Sequence, residues 1–368
     1  MGSQWGKNIR LSIFGESHGP AIGAVIDGLP AGFAPDMEEL KRQMARRSPA
    51  GKAWATKRAE TDAVEVLSGL YRGKLTGSPL CLTIRNNDAR SENYPDNMEL
   101  PRPGHADYTA HVRYGGAEDF RGGGHFSGRL TAPLMAAGAL AMQLLAVKDV
   151  VIGSHIRRIG NIEDSDWVRA AITVALLHPL GNSAFPALDA GAAAKMLAAI
   201  ENAGNAGDSL GGEVETAIVG LPAGIGSPMM DGIESRLASL LFAIPAVKGV
   251  QFGSGFALAS MKGSQANDPF ALKDGKVVTS TNHNGGLLGG ITTGMPVVFS
   301  VAVKPTPSVA LEQNTVNLTN MTTQTIAVNG RHDPCIVPRA LPVIEAAAAL
   351  VLLDAWLDIE PAGGNRWI

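Results

Sequence analysis

Residues 9–28 have the sequence IRLSIFGESHGPAIGAVIDG, in which a polar turn separates two short apolar segments. From Ile9 to Phe14, apolar residues alternate with Arg10 and Ser12, a pattern typical of a β-strand. The segment from Ala21 to Gly28 predicts a second strand close behind the first. The sequence therefore predicts a strand, a turn and a strand, with a histidine in the turn.

The turn Gly15-Glu16-Ser17-His18-Gly19 predicts a site for proton transfer. Imidazole titrates near neutrality, and glycine on both sides allows the backbone to approach a ligand closely. The same residues match the Gly-x-Ser-x-Gly nucleophile elbow of serine hydrolases, but that motif requires a helix after the turn. The pattern also recurs at residues 207–211, which shows how easily it arises. His18 is therefore preferred to Ser17, and a turn in which His18 is merely hydrogen-bonded is the alternative.

The composition indicates a soluble globular protein with a mostly aliphatic core. Of the 368 residues, 45% are hydrophobic, 18% are charged and only 5% are aromatic. The net charge of −3 disfavours a general nucleic-acid binder. We therefore expect no nucleic-acid partner.

Cysteine usage and hydropathy favour a cytoplasmic enzyme. The chain has only two cysteines, Cys81 and Cys335, which do not make a disulfide framework, and this fits a reducing compartment. No apolar segment typical of a signal peptide precedes Gly15. The longest apolar stretch, Ala346 to Leu353, is too short to span a bilayer. We expect no membrane partner.

The order of the predicted elements favours one compact α+β domain over residues 1–368, with two halves packed pseudo-symmetrically, because no linker and no short repeat divides the chain. Residues 104–124 are predicted to be irregular, and residues 267–290 a long functional or disordered loop. Helices are predicted at 36–47, 127–147, 190–202, 233–243 and 341–357. Strands are predicted at 9–14, 21–28, 64–70, 79–85, 212–219, 247–252 and 297–303.

The segment from Lys41 to Arg58 holds seven cations and no acid. In a protein of net negative charge this is a local positive field, which suits a small anion with phosphate and carboxylate groups. A solvated helix face and loop is the alternative.

Two polar segments in the middle of the chain add further candidates. Arg102-Pro103-Gly104-His105-Ala106-Asp107 places a second histidine after a Pro-Gly turn, where it can transfer protons. Residues 121–129, RGGGHFSGR, place three glycines, a Ser cap and two arginines at a predicted helix start. Free backbone N–H groups and guanidinium groups there favour an anion site, although the spacing fits neither the Walker A loop nor the dinucleotide fingerprint.

Three segments near the C-terminus complete the set. Residues 304–308, KPTPS, combine stiff backbone with Lys, Thr and Ser donors, which suits a phosphate or a flavin edge. Residues 285–290, GGLLGG, allow the backbone to approach a flat ligand. Residues 331–335, RHDPC, place an Arg two residues before an Asp, which suits a carboxylate held for proton transfer, and a structural salt bridge is the alternative. No His, Cys, Asp and Glu group has zinc-like spacing, so we expect no metal.

Taken together, these segments resemble the chorismate synthase family over nearly the whole chain. The resemblance rests on several motifs in the same order at matching separations, which are residues 15–19, 41–58, 102–107, 121–131, 208–212, 244–249, 304–308 and 331–335. It implies a layered β-α-α-β sandwich, usually assembled as a homotetramer.

The resemblance also implies an activity, namely the 1,4-anti elimination that converts 5-enolpyruvylshikimate 3-phosphate to chorismate and phosphate, the last step of the shikimate pathway to aromatic amino acids. This lyase reaction has no net redox change, yet it requires reduced FMN. The flavin is then reduced either with NADPH on this protein or by a separate flavin reductase.

The resemblance assigns three catalytic residues. His18 protonates the departing phosphate, His105 lies beside the flavin and sets its protonation, and Asp333 acts with the flavin in removing the ring proton. The residues that it assigns to FMN are His125, Phe126, Ser127, Pro245, Ala246, Gly289, Lys304, Pro305, Thr306, Pro307, Ser308 and Arg331. The candidates for the phosphate and carboxylates of the substrate are Arg47, Arg129 and Arg339.

The sequence departs from the family pattern at two places. Many members have Arg-Ser-Ser-Ala-Arg-Glu-Thr after the glycines, whereas this chain has HFSGRLT at residues 125–131. Ala53 occupies a position that is often arginine, and Lys52 is the substitute for an NADPH contact there. A non-catalytic phosphate or flavin binding module is the first alternative function, and a serine hydrolase is the second.

Overall fold

The computed structural model of the chain describes residues 2–49, 52, 54–55, 62–87, 98–328, 332–360 and 367. The helices of these ranges are α1 (Met37–Arg47), α2 (Asp107–Tyr114), α3 (Thr131–Ala146), α4 (Val174–Asn182), α5 (Ala190–Asn205), α6 (Ile233–Leu241), α7 (Gly263–Ala266) and α8 (Val337–Leu357). The strands are β1 (Gln4–Trp5), β2 (Arg10–Gly15), β3 (Ala21–Asp27), β4 (Val64–Ser68), β5 (Leu70–Tyr71), β6 (Lys74–Leu75), β7 (Leu80–Arg85), β8 (Val151–Ile159), β9 (Ile162–Glu163), β10 (Gly212–Val219), β11 (Ala223–Gly226), β12 (Val247–Phe252), β13 (Phe270–Lys273), β14 (Lys276–Thr279), β15 (Leu287–Leu288), β16 (Ile291–Thr293), β17 (Val297–Val303), β18 (Gln313–Asn317) and β19 (Thr322–Ile326).

The first large sheet has the strand order β1-β2-β3-β7-β4, and its strands pair antiparallel. β2 and β3 pair from Arg10 opposite Asp27 to Gly15 opposite Ile22. The turn with His18 therefore lies at the end of a central hairpin of this sheet. This confirms the predicted strand, turn and strand.

The second large sheet has the order β12-β17-β10-β8-β9 and is also antiparallel. β17 is buried along most of its length and pairs with β10 on one side and β12 on the other. Both pairings place Val303 at the sheet end, opposite Gly212 and Val247. The segment 304–308 therefore leaves the sheet beside the turn that precedes β12.

Two layers of helices separate the sheets. α3 packs against β2, β3 and β7, α8 packs against β8 and β10, and the two helices pack against each other. One apolar core, mostly aliphatic, runs through both layers. The architecture is the predicted β-α-α-β sandwich, while the pseudo-symmetry of two halves stays a prediction.

Two segments, Arg121–Ala146 and Val337–Leu357, are long and apolar enough to cross a membrane, but 78% and 94% of their apolar windows are buried inside the protein. Their hydropathy follows from their place in the helix layers, where every face of a helix contacts protein. They are core helices of the fold.

Most predicted elements are confirmed, and two predictions are wrong. The segment 104–124 contains α2, which has few apolar residues and only a weak apolar face, so periodicity did not indicate it. The segment 267–290 contains the hairpin β13-β14, whose residues are almost all exposed and therefore show no buried alternation. α4 and the strand β8 were not predicted either.

Candidate active site

The turn with His18 is held by a residue from the neighbouring strand. Asn86, which follows β7, donates its amide N–H groups to the carbonyl oxygens of Glu16 (3.0 Å) and Gly19 (2.8 Å). The next element is β3, so the strand, turn and helix of a nucleophile elbow do not form here. Ser17 therefore lacks the structural context of that motif, while the preference for His18 stays a prediction.

His18 and His105 lie on two consecutive glycines of the turn Arg121–Phe126. A Cβ atom at Gly122 would be 2.6 Å from Nε2 of His18, and one at Gly123 would be 3.1 Å from Nε2 of His105. Both glycines have positive φ, +61° and +87°, so a side chain at either position would strain the backbone, and at Gly122 it would also clash with the His18 ring. The structure therefore brings the two predicted catalytic histidines to one short piece of backbone.

His105 is oriented by Asp107 and Arg102. Its Nδ1 lies 2.5 Å from a carboxylate oxygen of Asp107, which also accepts hydrogen bonds from the Arg102 guanidinium at 2.7 and 2.8 Å. Burial alone would raise the pKa of Asp107, but the hydrogen bonds from Arg102 and His105 outweigh it and hold that pKa well below its ordinary value. Because an ionised carboxylate only accepts, Nδ1 of His105 holds a proton, and Nε2 is the atom that faces Gly123.

The segment 304–308 lies against the loop with His105. The Lys304 ammonium donates to the carbonyl oxygen of Gly104, and the Lys304 backbone N–H donates to Ala246 at 2.9 Å. Burial and the neighbouring ammonium of Lys248 lower the pKa of Lys304. The Thr306 hydroxyl is buried and has no hydrogen-bond partner within the described ranges. Two cations and an unused donor favour a phosphate-bearing group at this place.

Ser308 joins this segment to the histidine loop as well. Its hydroxyl oxygen accepts a hydrogen bond from Nη1 of Arg102 at 3.3 Å, and Oγ of Ser209 donates to the carbonyl oxygen of Thr306 at 2.7 Å. Ala246 has a positive φ of +73°, which is uncommon for a residue with a side chain. The backbone of Pro245 and Ala246 is thereby turned toward Lys304.

Two of the predicted substrate arginines share one buried carboxylate. Asp62 accepts hydrogen bonds from Arg47 (2.5 Å) and from Arg129, and all three side chains are buried. Burial would raise the pKa of Asp62, but the charges of Arg47 and Arg129 lower it below its ordinary value. Arg129 also donates to Oδ1 of Asn86 at 3.1 Å, so the arginine pair is connected to the turn with His18.

Asp333 is connected to the same cluster through Arg339. Nη1 of Arg339 donates to the Asp333 carboxylate at 2.5 Å, and Nε of Arg339 donates to the backbone carbonyl of Arg47 at 3.1 Å. The third predicted catalytic residue and the third predicted substrate arginine therefore lie beside the first two arginines.

Lys52 marks the positive field that the basic segment predicted. Burial and the charges of Arg339, Arg46 and Arg47 lower the pKa of Lys52 to about 8. Its ammonium donates to the carbonyl oxygens of Ala45 (3.1 Å) and Arg46 at the end of α1. The described part of this segment is a cationic region beside the candidate substrate residues.

Other predicted cofactor residues lie apart from this cluster or outside the described ranges. Gly290, next to Gly289, accepts a hydrogen bond from Ile233 at the first turn of α6, whereas Pro245 and Ala246 follow the last turn of that helix. Nine helical residues span about 13 Å, so Gly289 and Lys304 lie near opposite ends of α6. Arg331, Lys57 and Arg58 lie outside the described residues.

The segment 125–127 has three different environments. Both ring nitrogens of His125 are hydrogen-bonded, to Gly15 and Ser3. Phe126 is 38% exposed and its ring centroid is 6.3 Å from that of Tyr114. The Ser127 hydroxyl accepts from the backbone N–H of Arg129 at 3.3 Å and so caps the turn before α3.

Sequence reasoning missed the residues that orient the others. Asp62 and Asn86 were not singled out, and Arg102 and Asp107 were quoted only as neighbours of His105. Asp62 and Asn86 show no local motif, because each acts through side chains that are distant in sequence. An acid close to a run of seven cations was the one signal that could have indicated Asp62.

Within the described ranges, no group of three or more His, Cys, Asp or Glu side chains is placed to hold a metal ion. The polar groups of the cluster instead pair with one another, and its chemistry is that of cations, imidazoles and carboxylates.

The similarity to known proteins extends over nearly the whole chain. The family model for chorismate synthase matches residues 9–357. The chain is 49% identical over 349 residues to the chorismate synthase of Thermococcus kodakarensis, covering 95% of this chain and 96% of that protein. It is 45% identical over 354 residues to the chorismate synthase of Dehalococcoides mccartyi, covering 96% of each. A crystal structure of chorismate synthase superposes with a TM-score of 0.77 at 29% identity, covering 96% of this chain and 93% of that one.

Proposed function

The chain belongs to the chorismate synthase family, and from that membership we propose that it converts 5-enolpyruvylshikimate 3-phosphate to chorismate and phosphate by 1,4-anti elimination, with reduced FMN as cofactor. A lyase role in the shikimate pathway is the established part of this statement, and the substrate and the cofactor are the proposed part.

One observation supports the proposal most directly. His18 and His105 lie on the adjacent glycines 122 and 123, and the turn with His18 is connected through Asn86 to Arg129. An acid is thereby placed next to cations, which is what a departing phosphate requires.

The residues divide the elimination between them. The C–O bond breaks with its electron pair going to the phosphate, and His18 donates a proton to that oxygen. The electrons of the ring C–H bond form one new double bond, and the existing ring double bond shifts toward the carbon that loses the phosphate. The Asp333 carboxylate is the group that takes part in moving the ring proton. Arg339 orients Asp333 through the 2.5 Å hydrogen bond. The guanidinium groups of Arg47 and Arg129 counter the negative charge of the substrate.

The residues present fit a flavin with a phosphate group. Lys304 and Lys248 form no ion pair with an acid of the described ranges, and the buried Thr306 hydroxyl has an unused donor. Lys304, Thr306 and the backbone at Ala246 would hold the phosphate end, and His105 would hold a proton beside the ring. When bound, reduced FMN supplies electron density to the reacting centre of the substrate.

The proposal also covers assembly and location. We expect a cytoplasmic homotetramer with a small phosphorylated substrate. Its flavin is reduced with NADPH on this protein or by a separate flavin reductase.

The test uses the purified protein with anaerobically reduced FMN and 5-enolpyruvylshikimate 3-phosphate, and it follows phosphate release and chorismate absorbance. We expect His18→Ala to lower turnover by about a hundredfold or more, the usual scale for a lost general acid. FMN affinity, measured by flavin fluorescence, should stay the same. His178→Ala, at an exposed position on α4, is the matched control and should keep normal turnover.

Two results would contradict the proposal. Tight flavin binding by the wild-type protein without any turnover would favour the non-catalytic binding module. Flavin-independent ester cleavage that is lost in Ser17→Ala would favour the serine hydrolase.

A further inference from the structure

His125 fastens the glycine-rich turn to the strand that ends in the catalytic turn. Its Nδ1 lies 2.8 Å from the carbonyl oxygen of Gly15, and its Nε2 lies 2.8 Å from the hydroxyl of Ser3. A carbonyl oxygen only accepts, so Nδ1 holds the proton and donates it to Gly15. Nε2 is hydrogen-bonded to the Ser3 hydroxyl. Both ring nitrogens are thus used inside the protein.

A second hydrogen bond joins the same two segments. The backbone N–H of Ser17 donates to the carbonyl oxygen of Gly124 at 3.1 Å. The two segments are therefore joined at two places, by the bond between His125 and Gly15 and by the bond between Ser17 and Gly124. His18 follows Ser17, and Gly122, which it contacts, lies two residues before Gly124.

Ser3 extends this connection to the N-terminal strand. The carbonyl oxygen of Ser3 accepts from the backbone N–H of Ile13 on β2 at 3.0 Å. The imidazole of His125 is consequently held between two segments of the first sheet, and its orientation leaves Nδ1 aimed at Gly15.

We propose that His125 is a positioning residue for His18: its Nδ1–H bond to Gly15 sets where the His18 imidazole lies against Gly122. This inference rests on the proposed function for its kinetic part. It differs from the assignment by resemblance, in which the residue at this position contacts the cofactor. A displacement of about 1 Å in a catalytic group can reduce turnover about a hundredfold, so loss of the bond should lower kcat rather than raise KM.

The experiment compares His125→Ala, His125→Asn and His125→Gln in the full chain. Asn places an amide N–H close to where Nδ1 lies, whereas Gln places its amide close to Nε2. We expect His125→Ala and His125→Gln to lower kcat about thirtyfold or more with KM changed less than about threefold. We expect His125→Asn to recover most of kcat.

Two readouts do not depend on turnover. The FMN dissociation constant, measured by fluorescence titration, should change less than about twofold in all three variants, because the ring is committed to Gly15 and Ser3. Amide hydrogen exchange of residues 15–19 in the ligand-free protein should accelerate about tenfold or more in His125→Ala and stay near wild type in His125→Asn. Ser3→Ala removes only the partner of Nε2 and keeps the bond from Nδ1 to Gly15, so it is the matched control.

Several outcomes would overturn the inference. A rise of about tenfold or more in the FMN dissociation constant of His125→Ala, with kcat retained, would make His125 a cofactor contact. Unchanged exchange at residues 15–19 would remove the structural connection. A folded His125→Asn variant that is as impaired as His125→Ala would show that loss of the Nδ1 bond does not cause the fall in kcat.

Should His125→Ala fail to fold, the variants His125→Asn, His125→Gln and Ser3→Ala still decide the question. Absence of turnover in the wild-type protein would sink the proposed function alone, since the exchange measurement in the ligand-free protein is independent of it.

Discussion

At the scale of single residues, the cluster depends on one carboxylate shared by two cations. Asp62 is 3% exposed and lies between Arg47 and Arg129, which are 3% and 7% exposed. Removing one member of a buried ionic group leaves uncompensated charge, which costs much more than an exposed ion pair is worth. Asp62 therefore affects both the stability of the fold and the placement of the arginines.

We predict that Asp62→Asn lowers the free energy of unfolding by about 3 kcal/mol or more, because two buried guanidinium groups lose their counter-charge. Urea denaturation measures the change, and KM for the phosphorylated substrate should rise in the same variant. Glu65→Gln, in an ion pair with Arg85 that is 3.3 Å long and exposed on both sides, is the control. It should change stability by less than about 1 kcal/mol. Equal effects of the two substitutions would contradict the role given to Asp62.

At the scale of elements, the distance between α3 and α8 sets the geometry of the arginine cluster. Thr131, the first residue of α3, accepts from Nε of Arg47 at 2.9 Å, and Arg339 near the start of α8 donates to the Arg47 carbonyl. The helices approach closely where Gly138 meets Ala346, since a Cβ at Gly138 would lie 2.3 Å from the Cβ of Ala346 and 2.5 Å from its backbone. Backbone cannot move aside as a side-chain end can, so the helices would have to separate.

Gly138→Ala should therefore destabilise the protein by about 1–3 kcal/mol, the usual cost of overpacking, although alanine favours helix. Thermal unfolding measures this, and a higher KM for the phosphorylated substrate should accompany it. Gly181→Ala on α4 is the matched control, because nothing lies within 4 Å of the added Cβ. That change should be neutral or stabilising by up to about 1 kcal/mol. A neutral Gly138→Ala would contradict the close packing of α3 and α8.

At the scale of the whole molecule, buried charged groups make the stability fall both at low pH and at high pH. His155 is fully buried between the carboxylates of Asp164 (2.8 Å) and Glu215 (3.1 Å). Burial alone would lower the pKa of His155, but hydrogen bonds to Asp164 and Glu215 outweigh it and raise that pKa. The carboxylates whose pKa is lowered in the folded protein include Asp62, Asp107, Asp164 and Glu215.

The signs of these shifts predict a maximum of stability in mildly acidic solution. The lowered carboxylate pKa values stabilise the fold above about pH 4, where the unfolded chain is ionised, and this stabilisation is lost as pH falls. The raised pKa of His155 stabilises the fold below about pH 6.5 and is lost as pH rises, by at most about 1.4 kcal/mol per pH unit.

Urea midpoints at several pH values between 4 and 9 test this prediction, with His155→Gln as the variant. The variant should be less stable overall, because Asp164 and Glu215 lose a cation, and it should lose less stability above pH 6.5 than the wild type does. A wild-type stability that rises from pH 6.5 to 8, or an unchanged slope in the variant, would contradict the assignment.

The sequence by itself determined most of the strands and helices in which a buried face repeats, with the buried strand β8 as an exception, and it determined the candidate residues. β10, β12 and β17 were predicted with correct bounds, and α1 begins after Asp36 as its capping pattern indicated, since Asp36 accepts from the N–H groups of Glu38 and Glu39. These features depend on periodicity and on hydrogen bonds between residues close in sequence. Segments without a buried face, such as α2 and the hairpin β13-β14, lacked that signal.

Only the tertiary structure decided how the candidates meet. The contacts of His18 with Gly122, of Asp62 with Arg129 and of His125 with Gly15 join residues that are 67 to 110 positions apart in the sequence. No local pattern specifies such pairs, because they arise where two sheets and the helices between them bring distant segments to one place. The sequence supplied the acids, bases and cations of the site, and long-range packing determined which of them act together.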